Sequence, residues 1–178
     1  MEKIFAFYKQ FAKLEDILRV GWLMRGLPVE RKESDADHTL QTILLADLII
    51  NKFNIQGINL LRVIEMLLIH EIGEIVIGDI SLIASDHEEK KKMEEQAVRE
   101  KLSCLGEKLG SYYFGLWYEF EHGTTLDGRF AKFIDRIDAD IKAKVYDQQL
   151  GVDVYFNDFF AHDKQIIEST EFCEFLRN

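Results

Sequence analysis

Apolar residues recur at three- and four-residue intervals along most of the chain, and no segment alternates apolar and polar positions over five or more residues between turn signals. That pattern predicts helices throughout. An opening amphipathic helix over 3–18 carries Ile4, Phe5, Tyr8, Phe11, Ala12 and Leu14, and a loop with Gly21, Gly26 and Pro28 follows it. Ser34 or Asp35 can cap the next helix, whose buried stripe is expected to be Ile43, Leu44, Leu48 and Ile49. Further helices are expected over 58–75; over 87–105 with Met93, Ala97, Val98 and Leu102 inward; and over 107–121, built on Leu109, Tyr112, Tyr113, Leu116, Trp117 and Phe120. The last long one covers 127–146 on Phe130, Phe133, Ile134, Ile137 and Ile141, with one or two more in the Phe-rich tail over 153–177. The expected fold is all-α, one domain over 1–178 with roughly six to eight helices.

Composition narrows the class. At 178 residues with 47% apolar and 12% aromatic content the chain forms a core rather than a disordered tract, and its apolar runs fall far short of the roughly 18 residues of a membrane span. The start, Met1-Glu2-Lys3-Ile4-Phe5, lacks a signal-peptide pattern, so the chain reads as cytoplasmic with no membrane partner. Cys104 and Cys173 stand far apart without CxxC spacing, against both a disulfide framework and a thiolate metal site. A net charge of −10 disfavours polymeric nucleic acid, which is bound through clustered Lys and Arg. It leaves room for a small phosphorylated ligand, because a metal and a few placed cations dominate a local field. The run Lys90-Lys91-Lys92 lies among Glu88, Glu89, Glu94 and Glu95 and reads as a solvated face.

The candidate chemistry is concentrated between Leu67 and Asp79, where an apolar pattern suddenly carries His70, Glu71, Glu74 and Asp79. On a continuous helix His70 and Glu74 share a face and Glu71 projects about 100° round the axis. Such groups buried together cost several kcal/mol unless something pairs with them, and a divalent cation does that; a helix end with solvated acids is the other reading. His38 falls near a predicted helix start. Asp135 and Asp138 lie beside an apolar stripe, either solvated or reaching an internal pocket. In the loop, Trp22 stands between Arg19 and Arg25, either anchoring the loop on the core or contributing phosphate and sugar or base contacts.

His38, then His70-Glu71, then Asp135 resembles the H…HD…D metal signature of the HD-domain phosphohydrolases. Further blocks are similar to the 5′-deoxynucleotidase branch: Arg19-Val20-Gly21-Trp22, Glu33-Ser34-Asp35-Ala36-Asp37-His38, His70-Glu71-Ile72-Gly73-Glu74 with Gly78-Asp79, Leu116-Trp117-Tyr118-Glu119-Phe120, and Arg129-Phe130-Ala131-Lys132 leading to Asp135. They follow family order over roughly residues 15 to 140. The resemblance implies an HD-type helical bundle in which His38, His70, Glu71 and Asp135 hold one divalent transition metal, with Mn, Co, Fe, Ni or Zn suiting such donors. It implies hydrolysis of deoxynucleoside 5′-monophosphates, Glu74 as general acid/base, Asp79 near the sugar 3′-hydroxyl, Arg19 on phosphate and Trp22 at the sugar pocket. Other readings of the same site are hydrolysis of a triphosphate or alarmone, or a non-catalytic metal- or nucleotide-binding module.

Two positions depart from the family pattern. Glu71 replaces the usual Asp and adds a methylene, and Ala36 stands where relatives often carry Ser. His87, His122 and His162 match no second-metal pattern. The sequence does not fix the oligomeric state and is compatible with a homodimer.

Overall fold

The computed structural model describes residues 1–28, 30, 32–78, 87–151 and 172, and over 87–90 the backbone alone. The described residues form eight α-helices and no strand. They are α1 Glu2–Phe11, α2 Val20–Met24, α3 Asp35–Phe53, α4 Leu60–Ile69, α5 Glu74–Ile77, α6 His87–Ser103, α7 Glu107–His122 and α8 Leu126–Leu150, with a 3₁₀ turn at Ala12–Glu15. The expected all-α fold is the observed one. The Phe-rich tail lies outside the described residues apart from Phe172, which packs edge-on against Phe130.

α4 is the axis of the bundle because its sequence, LLRVIEMLLI, is apolar on nearly every side. It packs on α3, α7 and α8, which also contact one another in the pairs α3·α8 and α7·α8. α6 lies against the outer side of α7 and touches α1 and α5. The main core joins Val63, Met66 and Leu67 of α4 to Leu116, Trp117 and Phe120 of α7 and to Phe130, Phe133, Ile134 and Ile137 of α8. A small separate cluster joins Trp22 and Leu27 of the early loop to Ala143 and Tyr146 near the end of α8.

Several side chains take faces opposite to those the periodicity suggests. Ile4, Phe5 and Tyr8 of α1 are exposed, and the opening helix stops at Phe11. Met93, Leu109, Tyr112 and Ile141, expected inward, are also exposed. The clearest case is α3, where Leu44 and Leu48 are 57% and 54% exposed while Asp35, His38, Thr39, Thr42, Ala46 and Ile49 are buried. The cause is geometric. Residues two apart on a helix lie about 200° apart around its axis, so turning His38 towards α8 turns Leu40 and its row outward.

The α7–α8 crossing is close enough to exclude a methyl group. A Cβ at Gly128 would lie 2.3 Å from the Glu119 carbonyl oxygen, a backbone atom that cannot rotate away. Gly115, midway along α7, faces open space. Gly128→Ala is therefore expected to lower unfolding free energy by about 1–3 kcal/mol, the usual cost of overpacking, whereas Gly115→Ala should be neutral or raise it by up to about 1 kcal/mol through helix propensity. Urea denaturation of the two variants checks both signs.

Candidate active site

Local hydrogen bonding fixes the entry to α3. Ser34 accepts from the Asp37 amide while the Asp37 carboxylate accepts from the Ser34 amide, a reciprocal capping box. An antiparallel bridge pairs Leu18 with Ser34: the Arg19 amide donates to the Glu33 carbonyl at 3.2 Å and the Asp35 amide to the Ile17 carbonyl at 2.9 Å. The loop that carries Arg19 is thus tied to the helix start that carries His38.

α4 ends at Ile69, earlier than expected, with His70 as its C-cap. Residues 70–73 form a turn in which the Ile72 amide bonds to the Ile69 carbonyl and the Glu74 amide to the Glu71 carbonyl, and Glu74 opens the one-turn α5. His70 and Glu74 therefore do not stack on one continuous helix. Gly73 allows the turn to sit against α6, since a Cβ there would lie 2.8 Å from Glu94 Cγ.

Four candidate ligands converge where α3, the turn and α8 meet. His38 Nε2 lies 2.9 Å from Asp135 Oδ1 and 3.6 Å from Glu71 Oε1. His70 Nε2 lies 3.5 Å from Glu71 Oε1 and 3.9 Å from Asp135 Oδ1, and the two imidazole centroids are 5.2 Å apart. The Arg19 guanidinium joins from the loop and pairs with Glu71 Oε1. All but Arg19 and Asp135 are buried, so the solvated readings of Glu71 and Glu74 do not describe the structure.

The protonation pattern follows from these contacts. Nδ1 of His70 is 2.7 Å from the Leu67 carbonyl, which can only accept, so the proton sits on Nδ1. Burial lowers the His70 pKa and keeps the ring neutral at neutral pH. Its buried Nε2 has no hydrogen-bond partner among the described residues and turns a lone pair towards two carboxylate oxygens. That arrangement is repulsive unless a cation stands between them. His38, His70 and Glu71 bring ligand atoms within 4.8 Å of one another, with Asp135 Oδ1 2.9 Å from His38 Nε2, and imidazole and carboxylate donors are a set that divalent transition ions accept, so these residues fit a metal. Burial opposes ionisation of Glu71 and Asp135, yet nearby cationic groups outweigh it: chiefly Arg19 for Glu71, and for Asp135 the hydrogen bond and charge of His38. Both carboxyls are held below the usual range. For His38, burial and Arg19 push the pKa down, but hydrogen bonds to Asp135 and Asp138 prevail and raise it to about 9.

A second buried polar group lies behind His38. His38 Nδ1 is 2.9 Å from Asp138 Oδ2, Glu33 accepts from the Trp22 indole N–H at 2.9 Å, and Lys142 Nζ lies 3.0 Å from Glu33 Oε2. The Tyr146 hydroxyl accepts from the Glu33 amide, and burial together with the Glu33 carboxylate raises its pKa to about 12. Sequence reasoning missed the Glu33–Lys142 pair. The available signal was the row Asp135, Asp138, Lys142 and Tyr146, spaced three and four residues along the inner face of α8.

The remaining expected site residues separate. Glu74 is buried at the start of α5. Trp22 is 4% exposed and meets Tyr146 edge-on at 5.2 Å, as the loop-anchoring reading requires. Asp79 lies outside the described residues.

A family profile described as HD domain matches residues 11–173. A 5′-deoxynucleotidase of Xenopus laevis is 29% identical over 148 residues, covering 83% of this chain and 71% of the relative. A conserved hypothetical protein from Pyrococcus furiosus superposes with a TM-score of 0.79 at 26% identity, covering 96% of this chain and 93% of that one. A predicted metal-dependent phosphohydrolase from Magnetospirillum magnetotacticum gives a TM-score of 0.71 at 26% identity, with 94% and 83% covered. Among the described residues no helix is long and apolar enough to cross a membrane.

The His38 pKa has a consequence for stability. A folded-state pKa of about 9 against an ordinary 6.5 means that the protonated ring favours the folded state. The contribution, about 3 kcal/mol at 1.36 kcal/mol per pH unit, is complete below pH ~6.5 and is lost as pH rises through about 9. In chelator-treated protein the urea midpoint is therefore expected to fall between pH 6.5 and 9, and this part of the fall should disappear in His38→Gln.

Proposed function

The chain belongs to the HD domain family, and we propose that it is a metal-dependent phosphomonoesterase, a single HD-type domain over 1–178 that hydrolyses deoxynucleoside 5′-monophosphates to deoxynucleoside and phosphate. The observation that carries the reading is the convergence of two imidazoles and two carboxylates around His70 Nε2, which has no hydrogen-bond partner among the described residues, with a guanidinium alongside. The name of the Xenopus laevis relative supports the substrate class.

In this reading His38, His70, Glu71 and Asp135 hold one divalent ion, and the nitrogen and oxygen donors suit Mn, Co, Fe, Ni or Zn. The ion supplies Lewis acidity towards phosphoryl oxygens and makes water easier to deprotonate. Neutral His70 offers its Nε2 lone pair without first losing a proton, whereas His38 must release one. Arg19, with its side chain 22% exposed, stands between the interior and solvent and binds the phosphate dianion as it arrives. Glu74 is the group that accepts and returns a proton at its carboxylate. Trp22 holds the loop that carries Arg19 in place through its bond to Glu33, which fixes one wall beside the sugar.

With Mn²⁺ or Co²⁺ added, phosphate release from deoxynucleoside 5′-monophosphates is expected to exceed that from ribonucleotides or triphosphates. Equal rates on deoxy and ribo substrates would remove the sugar-pocket assignment, and faster release from triphosphates would favour a different nucleotide as substrate.

The ligand and acid/base roles separate by substitution. His38→Ala, His70→Ala, Glu71→Ala and Asp135→Ala should each lose bound metal, measured by elemental analysis after dialysis. Glu74→Ala should keep the metal and lose about 10²–10⁴-fold in turnover. Glu71→Asp is expected to retain metal with less than about a tenfold change in rate. If wild type binds no metal and releases no phosphate while Glu71→Asp does both, the chain is a degenerate member of the fold rather than an enzyme.

A further inference from the structure

The outward face of α3 carries an exposed leucine row. Leu40, Leu44 and Leu48 stand four residues apart on one side of the helix and are 68%, 57% and 54% exposed. Single exposed leucines are ordinary, but three in one row over about 12 Å of helix form a continuous apolar patch of the kind that marks a contact surface. The packing of α3 on α8 creates it: His38 is held inward by its acidic partners, and Leu40 then points about 200° away round the axis. Anything seated on the row lies across α3 from the candidate ligands.

The row reads the same from either end. Leu40 and Leu48 are equidistant from Leu44, while the exposed Asp37 lies in the first turn of the helix and the exposed Lys52 in the last. If two such rows meet antiparallel about a two-fold axis at Leu44, Leu44 faces its own counterpart, Leu40 faces Leu48 of the partner subunit, and Asp37 faces Lys52 of the partner subunit. An isologous contact requires this self-complementarity, because every pairing occurs twice. A parallel arrangement would set Asp37 against Asp37 and Lys52 against Lys52, which like-charge repulsion disfavours. The ion pairs matter because two copies repel at a distance, each with a formal net charge of −10. At the border of the row Asn51 donates to Asp47 Oδ1 at 2.8 Å. That border is thus hydrogen-bonded within one chain and flanks an apolar centre, the anatomy of a protein–protein contact.

Other occupants fit less well. The one described residue of the tail, Phe172, packs on Phe130 and Phe133 in the main core rather than on the outer face of α3. A partner of a single charge sign would meet its own sign at one end of the row, whereas a second copy meets the opposite sign at both. We propose that the Leu40–Leu44–Leu48 face of α3 is a homodimer contact, along which two copies of the chain pack antiparallel. The inference does not depend on the proposed function.

Sedimentation equilibrium of the full chain tests it, with Leu44→Glu at the axis, Lys52→Glu at the end of the row and Leu61→Glu as a control, Leu61 being 66% exposed on α4. Wild type should reach twice the monomer mass as concentration rises. Leu44→Glu sets two carboxylates face to face at the axis and should weaken association by at least about 30-fold, with the circular dichroism and melting temperature of dilute protein unchanged. Lys52→Glu should weaken it by a smaller factor, and high salt should narrow that difference because exposed pairs are screened. Leu61→Glu should associate as wild type does. Orientation is read by cysteine pairing on a Cys104→Ser, Cys173→Ser background. Leu44→Cys should form a disulfide-linked dimer on oxidation, and Leu40→Cys should link to Leu48→Cys when the two are mixed but neither to itself. A wild type that stays monomeric at every concentration would overturn the proposal, as would a dimer that Leu44→Glu leaves intact. A monomeric wild type whose melting temperature falls in Leu44→Glu would show the row to be covered within one chain, which overturns it equally. Self-linking of Leu40→Cys and of Leu48→Cys without the mixed product would overturn the antiparallel arrangement.

Discussion

Burial of a histidine between two carboxylates of one helix is the constraint from which the rest of the structure follows. His38 is fully buried, and an imidazole with acids at both nitrogens cannot rotate or slide without leaving an unpaired polar group inside the bundle, at a cost of a few kcal/mol. The pair of contacts therefore fixes the register of α3 against α8. Once that register is set, the polar face of α3 is the inner one and its leucine row is outside. The early loop is then located as well, because the Leu18–Ser34 bridge ties it to the base of α3 and Trp22 ties it through Glu33 to α8.

This hierarchy explains what the sequence could reveal. Helical periodicity gave the fold class, because nearly every apolar segment repeats at the same interval and the α4 stretch is apolar enough to be central. The order of His38, His70-Glu71 and Asp135 pointed to side chains that the structure brings within 4 Å of one another in four pairs, His38 and His70 each with Glu71 and with Asp135. Periodicity failed at α3 because it assigns the most apolar face to the core, and here hydrogen bonds across to α8 override that preference. It failed again at His70, where the apolar pattern runs on through Ile72 and Ile75 although the backbone has left the helix for a turn. The pairings of Asp138 with His38 and of Glu33 with Lys142 were illegible for another reason: each spans about a hundred residues of sequence, and no local rule pairs an acid on α8 with a histidine on α3 or a lysine with a loop glutamate.

The charge distribution is economical. The chain is acidic overall, with a formal net charge of −10, yet the two inner polar groups are each provided with cations: Arg19 beside Glu71 in the outer group and Lys142 beside Glu33 in the inner one. Isolated carboxylates at these depths would stay protonated or unfold the region. The outer group differs from the inner one in keeping a neutral imidazole nitrogen without a hydrogen-bond partner among the described residues.

Glu71 is the point where these arguments meet. In a rigid helix an extra methylene at a ligand position would displace the carboxylate by about an ångström, enough to disturb a site that tolerates little misplacement. Residue 71, however, belongs to the turn after α4, where the hydrogen bonds span three residues rather than four and where the Gly73 contact with α6 sets the path of the chain. A turn can retreat by the length of a methylene at less cost than a helix held on all sides by core packing. The longer side chain also lets one oxygen, Oε1, lie 3.5 Å from His70 Nε2 and 3.6 Å from His38 Nε2 while pairing with Arg19. One carboxylate thereby lies against both candidate imidazole ligands and the cation assigned to phosphate. A longer side chain at this position is thus compatible with the turn, and its oxygen brings Arg19 and the two candidate imidazole ligands onto one carboxylate.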